Sequence, residues 1–377
     1  MRIAVNTRLL LDNKLEGVGW FTHEILRRIV LQHPEHEFIF FFDRPFHEKF
    51  IFAKNVTPVV LSPQARHPFL YYLWAEVAVP RALKKYKADV YYSPEGLGSL
   101  KTKIPTCITI HDLAYLHYPH FMDKLHRWHY AKYLPKYCAK ARQIIAVSEY
   151  TKSDIVKYYG IEERKIQVAY NAAQDVYQPL DYAEKEKVMA AYTQGETYFL
   201  FTGALHPRKN IINLLKAFVQ FKRRVRSSRM KLVIVGRMAW QYDEIVKAKA
   251  LMPYKEDVVW TGYLEKETLA KVTASAYALV YPSLFEGFGI PIVEAMACNV
   301  PVIVSNTSSM PEVGGNAALL VDPNSPEDIA AKMLLLYNDE QLRKKLIQAA
   351  QVQKENFNWD TSAAQVWNCI KLAANNT

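Results

Sequence analysis

The sequence predicts two doubly wound α/β domains in tandem, and three observations carry that prediction. The chain has 377 residues, a length suited to two domains at roughly 100–200 residues each. Short apolar runs alternate with amphipathic stretches, as in parallel sheets covered on both faces. The alternation pauses once, in the polar stretch QDVYQPLDYAEKEKVMAAYTQG that begins at Gln174, and then restarts. Hydrophobic residues make up 50% of the chain and charged ones 23%, enough apolar side chains for large cores and against disorder.

The elements follow in order. Ile3-Ala4-Val5 reads as a strand. Val18 to Val30 reads as a helix, with Phe21, Ile25, Leu26 and Ile29 at helical spacing. Glu37 to Phe42 is a strand, Tyr72 to Tyr86 a helix, and Asp89 to Tyr92 a short strand. Strand Cys107 to Ile110 and helix Lys124 to Ala139 come next. Gln143 to Val147 is a strand running into Ser148, whose hydroxyl can cap a helix starting at Glu149. A junction near Asn171–Leu180 then separates the halves. After it come strand Tyr198 to Phe201, a helix from Asn210 to about Val225, and strands Lys231 to Val235 and Val258 to Trp260. Helix 265–276, strand Ala278 to Tyr281, helix 291–298, strand Val300 to Val304 and strand Ala318 to Val321 complete the second sheet. Helices 326–337 and 339–355 close that unit. The expected domains are residues 1–174 and 175–356. In open parallel sheets ligands bind beyond the carboxyl ends of the strands, so two facing sheets would share a cleft.

Composition narrows the function. There are 48 Lys+Arg against 37 Asp+Glu. Residues 1–178 hold 25 of the basic and 17 of the acidic side chains, and ten of the eleven histidines. A basic half fits a phosphate-rich partner or an anionic membrane face, and equally a soluble protein of high pI. Lys84, Lys85, Lys87, Lys101 and Lys103 are the membrane-facing candidates. Cys107, Cys138, Cys298 and Cys369 lie far apart, without metal-ligand or redox spacing. Asp12 and Glu16 interrupt the apolar N-terminus, and no cleavage site follows, so a cytoplasmic protein is expected. No apolar run reaches the ~18–20 residues of a bilayer span. Nor does the tyrosine content read as nucleic-acid stacking.

Four stretches can carry chemistry. In YPSLFEGFGIPIVEAMACNVP, residues 281–301, a buried strand leads into a glycine turn. Pro291 then opens a helix at a position where a missing N–H costs nothing. Gly287 and Gly289 let backbone amides approach an anion at the helix N-terminus. Glu286 and Glu294 suit hydroxyls of a ribose or hexose. A loop charge and a helix-dipole partner would read the same way. In FTGALHPRKN, residues 201–210, Gly203 ends a strand and Arg208-Lys209 precede a helix. Two cations there are unfavourable by roughly 0.3–1 kcal/mol each, which a bound diphosphate would offset; a solvated basic turn is the alternative. His111-Asp112 follow a strand, where a histidine can meet a sugar hydroxyl or handle a proton, or simply be a satisfied loop residue. Gly17-Val18-Gly19 lie in the loop before the first helix and can cradle phosphate, but lack the dinucleotide fingerprint. No P-loop, no nucleophile elbow and no Asp-x-Asp occurs, so neither a metal nor another cofactor is expected.

FEGFGIPIVEAMACNVPVIVS, preceded by GALHPRKN, resembles the donor-binding half of the retaining GT-B glycosyltransferases of family four. Glu286 and Glu294 reproduce that family's pair of glutamates separated by seven residues. Gly17-Val18-Gly19, His111-Asp112, VSEYTK at 147–152 and VAYNAA at 168–173 are weaker features of the same kind. The resemblance implies a GT-B fold whose last helix, here 357–377, crosses back to the first domain. It implies that Glu286 contacts the transferred hexose and Glu294 the nucleotide ribose. Arg208 and Lys209 would neutralise the diphosphate, while Gly203, Gly287, Phe288, Gly289 and Ile290 line the donor site. His111 would contact the hexose from the other domain. Ala204 stands where many relatives have an arginine, which leaves Arg208 and Lys209 to share the phosphate work, or the diphosphate held less tightly. The implied reaction moves a hexose from a nucleoside diphosphate sugar, GDP-mannose first and a UDP-sugar next, to a glycan or lipid-linked acceptor. The enzyme would be cytoplasmic or peripheral on the inner face of the plasma membrane. A non-catalytic two-domain sugar- or nucleotide-binding protein is the alternative.

Overall fold

The computed structural model describes residues 1–12, 15–238 and 243–375. The chain divides into two compact units, Met1–Asn171 with Asn358–Thr377, and Ala172–Phe357.

The first unit is built on seven parallel strands: β1 Arg2–Asn6, β2 Glu37–Phe42, β3 Val56–Val60, β4 Val90–Ser93, β5 Thr106–Ile110, β6 Gln143–Ala146 and β7 Ile166–Val168. Their order is β3-β2-β1-β4-β5-β6-β7, so the winding reverses between β1 and β4. Strands β4 and β5 are buried along their whole length, as apolar runs covered on both faces must be. Two strands escaped the sequence reading. β3 holds Pro58 opposite Phe40; proline has no N–H for a ladder, and β3 tolerates it because it is an edge strand. β7 is only three residues long. The helix expected from Tyr72 starts earlier, at Pro68, and passes through one wide π turn, Trp74–Ala78, before ending at Lys85. Ser148 caps helix Glu149–Tyr159 by accepting the Thr151 N–H at 3.0 Å.

The last helix, Trp359–Asn375, belongs to this first unit; residues 376–377 of the expected element lie outside the described residues. Its apolar face explains the return. Trp367 stacks on His33 with ring centroids 4.0 Å apart, and Trp359 meets Phe21 edge-on. Arg28 Nε donates to Asp360 at 2.7 Å, and Ser362 Oγ donates to the Tyr170 carbonyl at 2.7 Å.

The second unit carries six parallel strands: β8 Tyr198–Thr202, β9 Lys231–Val235, β10 Val258–Gly262, β11 Ala278–Tyr281, β12 Val302–Ser305 and β13 Ala318–Val321. Their order is β10-β9-β8-β11-β12-β13, with the reversal between β8 and β11. The polar stretch after Gln174 is not all connector. Asp181 caps a helix, Tyr182–Thr193, by accepting the Glu184 N–H. A further unexpected helix spans Asp243–Leu251. Gly203, Gly236 and Gly262 end or follow β8, β9 and β10 with φ of 143°, 155° and 73°. At Gly236 a Cβ would stand 1.9 Å from the Gly203 carbonyl oxygen, so only glycine lets β8 and β9 end this close together.

Candidate active site

At the reversal of the second sheet, the segments after β8 and β11 come together. Past Gly203, Pro207–Lys209 form a short turn, and Asn210 (φ 60°) opens helix Ile211–Arg224. Asn210 Nδ2 donates to the carbonyls of Pro282 and Pro323 at 2.9 and 2.6 Å, tying this turn to the end of β11. Past β11, Glu286 is buried, at 7% exposure. Its N–H donates to Ser308 Oγ at 3.0 Å, and Ser309 Oγ donates to the Glu286 and Phe288 carbonyls.

The two predicted motifs meet at one carboxylate. Lys209 Nζ reaches Glu286 Oε1 at 2.6 Å, and Arg208 Nη1 reaches Oε2 at 3.0 Å. The Tyr281 hydroxyl donates to Oε1 at 3.1 Å. Arg208 also bonds the Phe285 carbonyl. Burial alone would push the Glu286 carboxyl up; the Arg208 and Lys209 charges outweigh it and hold the group at about 2. So the anion that offsets the two adjacent cations is supplied by the chain itself. The trio keeps a net positive charge.

Glu294 lies half-buried in helix Ile290–Ala297, five residues past Gly289. Its partner is the Tyr177 hydroxyl. Burial raises its carboxyl to about 7, against a weaker pull downward from Tyr177. Gly289 has φ 99°, and a Cβ there would sit 2.9 Å from Ile292 Cδ1, so the helix start depends on glycine. Ile290 is the first helical residue, and Gly287 lies in the turn before it. The Phe288 side chain is buried, edge-on to Phe357 at 5.4 Å, and only its backbone can serve a ligand.

In the first unit, His111 directly follows β5. Its Nε2 lies 2.7 Å from the Pro94 carbonyl, which can only accept, so Nε2 carries the proton. Burial lowers the ring's pKa, favouring the neutral form with Nδ1 as an acceptor. Asp112 Oδ1 accepts the Ala114 N–H and so shapes the same turn. Gly17-Val18-Gly19 are not a loop ahead of the first helix. They are its first three residues, in Gly17–Gln32. Gly19 has a packing reason: a Cβ would come within 3.0 Å of the Leu9 carbonyl oxygen. The phosphate-cradle reading therefore reduces to the N–H groups of a helix start.

Sequence reasoning missed Tyr281, Asn210, Ser308, Ser309 and Tyr177, which orient the charged groups. It also missed an ion pair between Arg8 and Glu95 beyond β1 and β4. Only Asn210, already next to the basic turn, carried a usable signal.

Residues 184–353 match the family model described as glycosyl transferases group 1, and residues 15–174 match that of glycosyltransferase family 4. The chain is 32% identical over 286 residues to the O-antigen chain mannosyltransferase RfbU of Salmonella typhimurium, covering 74% of each. It is 29% identical over 370 residues to the O-antigen chain mannosyltransferase B of Escherichia coli, covering 95% of this chain and 96% of that protein. Its fold is that of WaaG, a glycosyltransferase involved in lipopolysaccharide biosynthesis (TM-score 0.78, 14% identity, 98% of this chain and 99% of that one). It is equally that of Anabaena HepE in complex with UDP and glucose (TM-score 0.75, 17% identity, 98% and 99%). Two wholly parallel sheets, with a fold like that of such enzymes across nearly the entire chain, make this a GT-B protein, and it belongs to the group 1, or family four, retaining glycosyltransferases.

Proposed function

We propose that the chain transfers mannose from GDP-mannose to a glycan or lipid-linked acceptor in cell-surface polysaccharide or glycolipid synthesis. The observation that carries this reading is the Arg208–Lys209–Glu286 trio at the reversal of the second sheet. Cleaving the anomeric C–O bond leaves negative charge on the diphosphate. Two cations already oriented by Glu286 need no reorganisation to meet it, so they favour the transition state over the ground state. Side-chain cations here do the charge neutralisation that a metal does elsewhere. Glu294 accepts hydrogen bonds from ribose hydroxyls, and Gly203, Gly287, Gly289 and Ile290 let backbone amides approach the donor. His111 keeps Nδ1 as an acceptor suited to a sugar hydroxyl. Mannose is supported by the names of the two O-antigen relatives. A UDP-hexose is the second reading, favoured by the UDP and glucose bound to HepE. Membership of an enzyme family sets aside the non-catalytic reading.

The test is thermal stabilisation of the purified protein by GDP-, UDP-, ADP- and dTDP-sugars without added metal. A donor at ~100 times its dissociation constant adds about 2.7 kcal/mol to the folded state. A shift with GDP-mannose supports the proposal. A shift with a UDP-sugar alone moves the donor to the second reading, and no shift with any sugar nucleotide overturns both.

A further inference from the structure

The donor reading uses only one of the two places where a sheet reverses. The other lies between β1 and β4, and it too is occupied by an ion pair. Arg8, two residues past β1, donates through Nε to Glu95 at 2.5 Å and again through Nη2 to its second oxygen. Asn6 Nδ2 donates to the same carboxylate and to Ser93 Oγ. Arg8 Nη1 donates to the Ala65 carbonyl at 3.1 Å, and its guanidinium lies 4.9 Å from the Tyr71 ring centroid. Both side chains are largely buried, with 14% and 5% of their surface exposed.

Three features distinguish this cluster from a structural pair. Buried ion pairs are poor stabilisers, since an apolar pair of equal size often does as well or better. The pair also stands at the carboxyl ends of the strands on either side of a winding reversal, where open α/β sheets bind ligands. Finally, a buried polar atom packed beside it lacks a partner. Nε2 of the 4%-exposed His129, whose ring lies edge-on to Tyr71 with centroids 5.7 Å apart, makes no hydrogen bond. Its charge differs from that of the donor trio as well. Arg8 and Glu95 cancel, His111 is held neutral by burial, and Asp112 adds negative charge nearby. A phosphate would have to compete with the Glu95 carboxylate for Arg8. A neutral sugar would find a carboxylate that accepts from hydroxyls and a guanidinium edge that donates to them.

We infer that the Arg8–Glu95 pair is the recognition site for a neutral pyranose of the acceptor, read through its hydroxyl groups. This rests on the glycosyltransferase reading, and the experiment separates the two. Wild-type protein, Glu95→Gln and the double variant Arg8→Met/Glu95→Leu are compared in three measurements. These are stabilisation by GDP-mannose and UDP-glucose, nucleotide release from each donor with and without methyl α-D-mannopyranoside, methyl α-D-galactopyranoside or methyl N-acetylglucosaminide, and saturation-transfer NMR of those three glycosides. The expected result is a double variant that melts near wild type and keeps donor stabilisation and slow donor hydrolysis. It loses glycoside-stimulated release at least a hundredfold, together with the NMR signal; Glu95→Gln loses at least tenfold. Stimulation and NMR signal within twofold of wild type in either folded variant overturn the inference and make the pair structural. Absence of a glycoside signal on wild type, or tighter binding of mannose 6-phosphate than of the neutral glycosides, also overturns it. If wild type binds no donor, the proposed function fails, while the NMR comparison still decides the site.

Discussion

Glu286 is a carboxylate whose charge state is decided by two neighbours. Its low pKa means that its contribution to stability is complete above the ordinary carboxylate range, and is lost as pH falls from about 4.5 towards 2. Lys209→Met removes one of the two cations and leaves Glu286 buried against Arg208 alone. We expect transfer (kcat/KM) to fall about 10²–10³-fold, the scale seen when one preorganised charge-stabilising donor is lost, and the melting temperature to drop, by kinetics and calorimetry. Glu294 behaves in the opposite sense. Its folded-state pKa is raised to about 7 by burial, so ionisation costs stability over the window from about pH 4.5 to 7 and brings no further cost above it. In the proposed role Glu294 accepts from ribose hydroxyls, and its ionised form is the stronger acceptor. Donor affinity should therefore rise between pH 6 and 8 in wild type. In Glu294→Gln that rise should vanish, affinity should be weaker at pH 8, and the protein should melt higher above pH 7. Calorimetric titration across that range measures all three, and an unchanged pH dependence in the variant removes Glu294 from the donor site.

At the scale of elements, glycines determine how closely strand ends and helix starts approach the site. Gly236 and Gly262 end neighbouring strands, and both have positive φ, but their surroundings differ. A Cβ at Gly236 meets the Gly203 carbonyl, whereas at Gly262 it meets nothing within 4 Å. Gly236→Ala must therefore push β8 and β9 apart beneath the donor site, while Gly262→Ala carries backbone strain alone, ~1–3 kcal/mol. We expect Gly236→Ala to lose both stability and donor-induced stabilisation, and Gly262→Ala to lose stability with its donor response kept. Parallel thermal melts with and without donor check this. The sequence showed where these strands end, because an apolar run closed by glycine is a local signal. β3, β7 and helix Tyr182–Thr193 stayed hidden for local reasons too. Pro58 interrupts a strand that only its edge position rescues, β7 is too short for a pattern, and the helix carries charges on most sides.

For the molecule as a whole, the basic surplus acquires a location. Helix segments Pro68–Lys85 and Lys124–Lys140 contain one carboxylate, Glu76, and it is buried, accepting the Leu100 and Lys101 N–H groups. Phe69 and Trp128 are 63% and 52% exposed on this surface, with Lys132 Nζ 4.6 Å from the Trp128 ring centroid. Lys84, Lys85, Lys87, Lys101 and Lys103 are exposed as well. Among the described residues no helix is long and apolar enough to cross a membrane. An exposed aromatic and lysine surface suits the interface of an anionic leaflet, where each cation contributes about 1 kcal/mol. Co-sedimentation with phosphatidylglycerol vesicles should exceed that with phosphatidylcholine, and Trp128→Ala with Lys132→Ala should weaken it at unchanged stability. Equal sedimentation with both lipids removes the membrane from the list of partners.

The two α/β units, most strand ends, the Ser148 cap and the motifs around Glu286 were legible in the sequence, because each is written in local periodicity or in adjacent residue types. Which charges meet was settled by the folding of the sheets. Arg208 and Lys209 lie almost eighty positions from Glu286, and Arg8 almost ninety from Glu95. Strand order is what brings each pair together, by placing β8 beside β11 and β1 beside β4. Partner choice across a winding reversal is a property of the sheet, and neither spacing nor composition encodes it.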